Sequence, residues 1–129
     1  MSLRFMVFLH GFVGIGAAAG GMSAVIDPSA PLGITTDALQ FSPFSSFLIP
    51  GLFLLLILGC GNIAAGVISY RKPQYARYAG IGFGAVLMLW IVIQCIMLQS
   101  VVFLHVLFFL IGALQLLSGV KFDSPGKTR

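Results

Sequence analysis

IPGLFLLLILGCGNIAAGVISYRKPQYAR, residues Ile49 to Arg77, decides the architecture of this chain. From Ile49 to Tyr70 it carries no charge, and a helix of about 20 apolar residues spans the ~30 Å hydrocarbon layer of a bilayer. Arg71, Lys72 and Arg77 then follow at once. An apolar run closed by clustered cations predicts a transmembrane helix that ends at a cytoplasmic turn, because Lys and Arg resist translocation.

Three more runs flank this one, so the predicted spans cover about residues 3–26, 49–70, 75–98 and 101–120. The other cations are Arg4 before the first run and Lys121, Lys127 and Arg129 after the fourth. Because successive spans alternate in direction, all seven basic residues fall on one side of the membrane. The expected fold is therefore an all-α integral membrane bundle of four transmembrane helices, with N- and C-termini and the middle loop cytoplasmic. Residues 1–129 form one transmembrane domain, ending in a short mobile tail at 121–129. Arg4 ahead of an apolar stretch with Ala17, Ala18 and Ala19 also resembles a signal peptide, but the run outlasts the 7–15 residues of such a core, which favours a retained span.

Composition agrees: 59% of residues are hydrophobic and 8% charged, against about a quarter charged in soluble domains. The formal charge of +4 does not indicate nucleic acid, since the cations are juxtamembrane and lack interleaved aromatic stacking residues. Anionic headgroups are the expected counterions.

The outer loop, from Asp27 to about Phe47, is longer than a connector requires. It opens with Asp27-Pro28, holds Pro31-Leu32-Gly33, and contains Thr35, Thr36 and Asp37 as candidate caps for a short helix. Phe41, Phe44 and Phe47 recur every third residue, a stripe suited to the headgroup boundary beside the helix openings. Pro50 opens the second span if the helix begins near Ile49, and kinks it if the helix begins at Ser42-Pro43. Gln99 and Ser100 alone separate the last two runs, which predicts a tight antiparallel hairpin.

Gly80-Ile81-Gly82-Phe83-Gly84 lies within a span, so it is no nucleotide loop. Gly16 with Gly20, Gly80 with Gly84, and Gly61 with Ala65 form small-xxx-small pairs that allow close helix packing, within the chain or in a homo-oligomer.

No Asp or Glu falls within a span, which opposes a proton-coupled small multidrug transporter, and the one-sided cations oppose a dual-topology dimer. Counting from the cytoplasmic end, His10, Asn62 and Gln115 lie at roughly 9, 12 and 8 Å, one inner layer. Trp90 and His105 share a level at roughly 22 Å, with Gln94 nearer the outer boundary. Each layer either bonds helices together or binds a ligand; a histidine could also pass a proton. His10 and His105 are too far apart in height, and too poor in companions, for a metal site; no metal or cofactor is expected. Cys60 and Cys95 differ by roughly 15 Å in height, which predicts two free thiols.

Leu3-Arg4-Phe5 leading to Leu9-His10-Gly11, the Pro50-Gly51-Leu52 start with Gly59 and Gly66, and the Arg71-Lys72 turn before a glycine-rich span resemble small bacterial four-helix membrane proteins of the DoxX-like type. The resemblance implies an inner-membrane bundle, sometimes associated with redox or thiol-stress partners, and carries over no catalytic residue.

Three functions stay open. The first is a non-enzymatic protein that binds membrane lipid or another apolar molecule, or serves as a subunit of a larger membrane complex. In that case Phe41, Phe44 and Phe47 and the polar layers are the candidate site. A parallel-oligomer channel or transporter lined by His10, Asn62 and Gln115 is the second. The third is a membrane enzyme using His10 or His105 as acid or base on a lipid.

Overall fold

The computed structural model describes residues 2–29, 36–40 and 42–122. Phe41 and the tail at 123–129 lie outside the described residues. Four helices are long and apolar enough to cross a membrane, which marks a multi-pass membrane protein. Helix 1 is Leu3–Ile26, helix 2 Leu48–Arg71, helix 3 Ala76–Leu98 and helix 4 Phe103–Lys121. Their outward side chains are apolar, with Phe8 63% and Phe103 76% exposed. In water that surface would be costly; in lipid it is solvated.

Local chemistry sets the helix ends. The Ser2 hydroxyl accepts from the Phe5 N–H and caps helix 1. Helix 2 starts after Phe47, so Pro50 sits in its first turn, where a missing N–H leaves no bond unmade. Phe44 and Phe47 therefore precede that helix and form no helical stripe with one another. Pro73 disfavours helical geometry at Lys72, whose φ of −132° and ψ of 78° end helix 2. Helix 3 stops at Gln99, whose φ of 53° lies in the left-handed region. In the loop between helices 1 and 2, a 3-10 turn at Thr36–Leu39 packs against helix 3 and buries Leu39.

Helix 2 holds a π segment at Leu54–Cys60, with the Gly61 N–H donating to the Leu56 carbonyl five residues back. Such wide turns shift the side chains that follow around the axis.

Packing divides the bundle into two antiparallel hairpins. Helices 1 and 2 meet where Gly14 faces Gly59 and Ile63, and Gly21 faces Gly51 and Leu55. Helices 3 and 4 meet where Gly80 and Gly84 face Gln115, Gly112 and Gly119. A β-carbon on Gly84 would lie 2.6 Å from the Gly112 carbonyl oxygen and the Leu116 nitrogen, so these backbones touch. Gly16 and Gly20 pack more loosely, against the Phe108 ring and the Leu54 side chain, and Gly61 lies against the Phe83 ring. Ala65 is buried. Close backbone approach replaces the hydrophobic drive that lipid removes.

Between the hairpins lies a core of Leu9, Val13, Leu58, Leu87 and Ile111. Arg4, Arg71, Lys72, Arg77 and Lys121 all fall at one end, called here the basic end. There the Arg77 guanidinium donates to the Val120 carbonyl at 2.6 Å, holding the last turn of helix 4.

Candidate functional site

Two polar layers separate the bundle by height, and they differ in kind. Near the basic end, His10 of helix 1, Asn62 of helix 2 and Gln115 of helix 4 are buried against one another. The Asn62 amide nitrogen donates to the Leu58 carbonyl at 2.8 Å, which orients its Oδ1 toward the other two. That oxygen lies 2.9 Å from His10 Nδ1 and accepts from Gln115 Nε2 at 3.0 Å. Gln115 Nε2 also lies 3.2 Å from His10 Nδ1; we assign the His10 proton to Nδ1, which pairs donor with acceptor in the shorter 2.9 Å contact and leaves Gln115 donating to Asn62. The ring also meets Phe83 edge-on at 6.1 Å between centroids. This layer ties hairpin to hairpin. It contains no carboxylate and no nucleophile, and its one buried atom without a partner is Gln115 Oε1.

Toward the opposite end the hairpins part around a cavity of about 420 Å³, a size typical of small-molecule sites. Small residues of helix 1, Gly16, Ala17 and Gly20, form one wall, while Leu87, Trp90 and Ile91 of helix 3 form another. Phe47, at the start of helix 2, and Phe108 of helix 4 add aromatic surface. Phe53 stacks on Trp90 with centroids 4.5 Å apart, which holds the indole in place. Exposed Gly16 and Leu104 also border the cavity, so it meets the lipid-facing surface between helices 1 and 4.

Polar groups are few here. Trp90 is 7% exposed, and its indole N–H is buried without a hydrogen-bond partner among the described residues. His105 is 8% exposed and accepts from the Val102 N–H at its Nδ1, at 3.2 Å. With Nδ1 accepting, the neutral ring carries its proton on Nε2, a donor with no partner among the described residues. Gln94 and Ser100 also reach the wall.

A second cavity of about 590 Å³ runs between the far ends of helices 3 and 4 and shares Ile91, Ser100 and His105 with the first. Its other walls include exposed Val92, Ile96, Val106 and Leu110, so it is a furrow in the lipid-facing surface. Cys95 lines the furrow, Cys60 faces outward on helix 2, and both are free thiols.

The structure thus joins His10, Asn62 and Gln115 in one network and gathers Trp90, Gln94, His105 and Phe47 around one cavity. Phe44 is half-buried in the loop and does not line that cavity. The sequence marks Gly16 and Gly20 as a packing pair and Ala17 only as part of an alanine run, and gives none of the three a place in a cavity. Sequence reading also passed over Gly14, Gly21, Gly112 and Gly119 at the hairpin contacts, although the seven-residue spacing within each pair is a signal. Among the described residues no group of three His, Cys, Asp or Glu is placed to hold a metal ion. Neither a family model, a curated protein nor a solved structure matches the chain.

Proposed function

We propose that this chain is a bacterial inner-membrane protein, its basic end toward the cytoplasm, that holds an apolar chain of a membrane lipid between its two hairpins. One observation carries the proposal: an apolar cavity, open toward lipid, retains a buried indole N–H with no partner among the described residues. Such sites combine apolar walls with a few placed polar groups. The inner layer acts as a clamp. A conduit through His10, Asn62 and Gln115 would require that closed network to break, which counts against the channel reading. The DoxX-like resemblance supports the inner-membrane placement and assigns no residue a role.

Trp90 is the single tryptophan, so its fluorescence reports on the cavity alone. Lipids brominated along the acyl chain should quench it strongly in wild type. In Ala17→Leu, whose added side chain occupies the cavity, quenching should fall toward the level of a soluble bromide control. Equal quenching in both proteins, each shown to be folded by circular dichroism, would overturn the proposal.

A further inference from the structure

We infer that the bound lipid presents an ester carbonyl oxygen to Trp90 Nε1 and His105 Nε2, so that the cavity selects diacyl over diether lipids. This inference rests on the lipid-holding function proposed above and adds the chemistry of the contact.

Donor count carries it. Among the described residues, the one buried unpartnered atom at the cavity is a donor: the indole N–H can only donate, and the His105 imidazole, which also lines the cavity, is held in its donating form because the Val102 N–H occupies Nδ1. A buried donor left unpaired costs about 1–3 kcal/mol, so a ligand that supplies an acceptor is favoured over one that supplies only methylenes. An ester carbonyl meets that need without adding a charge or a donor of its own.

Height and access point the same way. His105 is the third residue of helix 4, and Ser100 and Val102 in the turn before it also line the cavity. His105 therefore lies near where its span ends, at the hydrocarbon–headgroup boundary that glycerolipid esters occupy, while Trp90 lies about two turns below the end of helix 3, at the level an ester reaches when its acyl chain is drawn into the cavity. Below them the cavity runs among Val13, Ala17 and Leu87, which suits an acyl chain continuing inward. The mouth beside Gly16 and Leu104 admits a lipid from the side.

The inner layer offers the opposite chemistry. Its unfilled atom, Gln115 Oε1, is an acceptor, so it would not recognise an ester.

Native mass spectrometry of the full chain, delipidated and then offered equal amounts of diacyl and dialkyl-ether phosphatidylglycerol with matched chains, tests this directly. Wild type should retain the diacyl lipid about tenfold more, the ratio expected for two hydrogen bonds of modest strength. Trp90→Phe keeps the aromatic stack and His105→Phe fills the same volume without a donor; each should reduce the preference, and together they should abolish it. Equal binding of both lipids by wild type would overturn the carbonyl contact while leaving lipid holding intact. Preference that survives in the double variant would place the contact elsewhere and overturn the assignment. Retention of neither lipid would remove both the contact and the function it rests on.

Discussion

Replacing Asn62 by Leu removes the centre of the inner clamp at nearly constant volume. Three hydrogen bonds end on its amide, two of them between helices: His10 Nδ1 at 2.9 Å and Gln115 Nε2 at 3.0 Å. Interhelical bonds in membrane proteins average about 0.6 kcal/mol and reach about 1.7, so the two together contribute roughly 1–3 kcal/mol. The two groups left behind, Gln115 Nε2 and His10 Nδ1, lie 3.2 Å apart, so Gln115 can donate to His10 once the imidazole proton moves to Nε2, and this limits the further cost. The expected destabilisation is therefore about 2 kcal/mol, roughly thirtyfold in the folding equilibrium. Titration of the protein from mild micelles into denaturing detergent, followed by Trp90 fluorescence, measures it. Cys60→Ser on the lipid-facing side supplies the control and should shift stability by less than about 0.5 kcal/mol.

The decisive comparison is the double variant Asn62→Leu with Gln115→Leu. Removing both partners leaves fewer orphaned groups than either single change implies, so the combined loss should fall short of the sum of the singles. A clamp made of coupled bonds demands that shortfall. Wild-type stability in Asn62→Leu, or strict additivity in the cycle, would refute the clamp and return the three residues to independent packing positions.

Two glycines of one helix should respond oppositely. Gly84→Ala places a methyl 2.6 Å from opposing backbone and should cost about 1–3 kcal/mol, whereas Gly82→Ala meets nothing within 4 Å and should gain about 0.5–1 kcal/mol from helix propensity in the same detergent titration. Gln99→Gly relieves a left-handed backbone at the end of helix 3 and should stabilise by about 0.5–1 kcal/mol, read as a shift in thermal midpoint. For orientation, Ser29→Cys should react with a membrane-impermeant maleimide in intact cells while Lys72→Cys stays protected until lysis; the reverse pattern would invert the topology.

The four spans are legible in the sequence because lipid imposes a length and a composition that few other environments tolerate. Their ends are nearly as legible: proline and cation punctuation puts them within two residues of Leu48, Arg71, Ala76, Phe103 and Lys121. Counting rise per residue placed His10, Asn62 and Gln115 at similar heights, but height is one coordinate. Only rotation about each axis decides whether side chains meet, and the π segment at Leu54–Cys60 alters rotation without any mark in composition. Gly16 and Gly20 match the packing motif by spacing, whereas Gly14 and Gly21 make the tighter contacts. An all-apolar helix leaves its inward face unmarked in the sequence. The cavity is illegible for a related reason: it is space left beside Ala17 and Gly20 by a particular placement of Trp90 and Phe108, and no single residue encodes it.

The two layers explain each other. Glycine contacts fuse each hairpin along its length, so the seam between hairpins is the interface best able to open. At the basic end the seam is held by the Asn62 network and by Met6, Ala76 and Phe122 packed together. At the far end, among the described residues, it is held by apolar contact around a cavity and by the Thr36–Leu39 turn against helix 3, with the Trp90 indole donor unpaired. Rigid bodies hydrogen-bonded at one end open more easily at the other, and the Thr36–Leu39 turn there packs on helix 3, so access to the cavity is expected to widen by splaying helices 1 and 4 near Gly16 and Leu104. Weakening the clamp would then act at a distance: Asn62→Leu should accelerate lipid exchange at the cavity, although no atom of Asn62 borders it. The time course of Trp90 quenching after mixing with brominated lipid measures that rate. An unchanged rate in a folded Asn62→Leu protein would show that lipid enters without parting the hairpins.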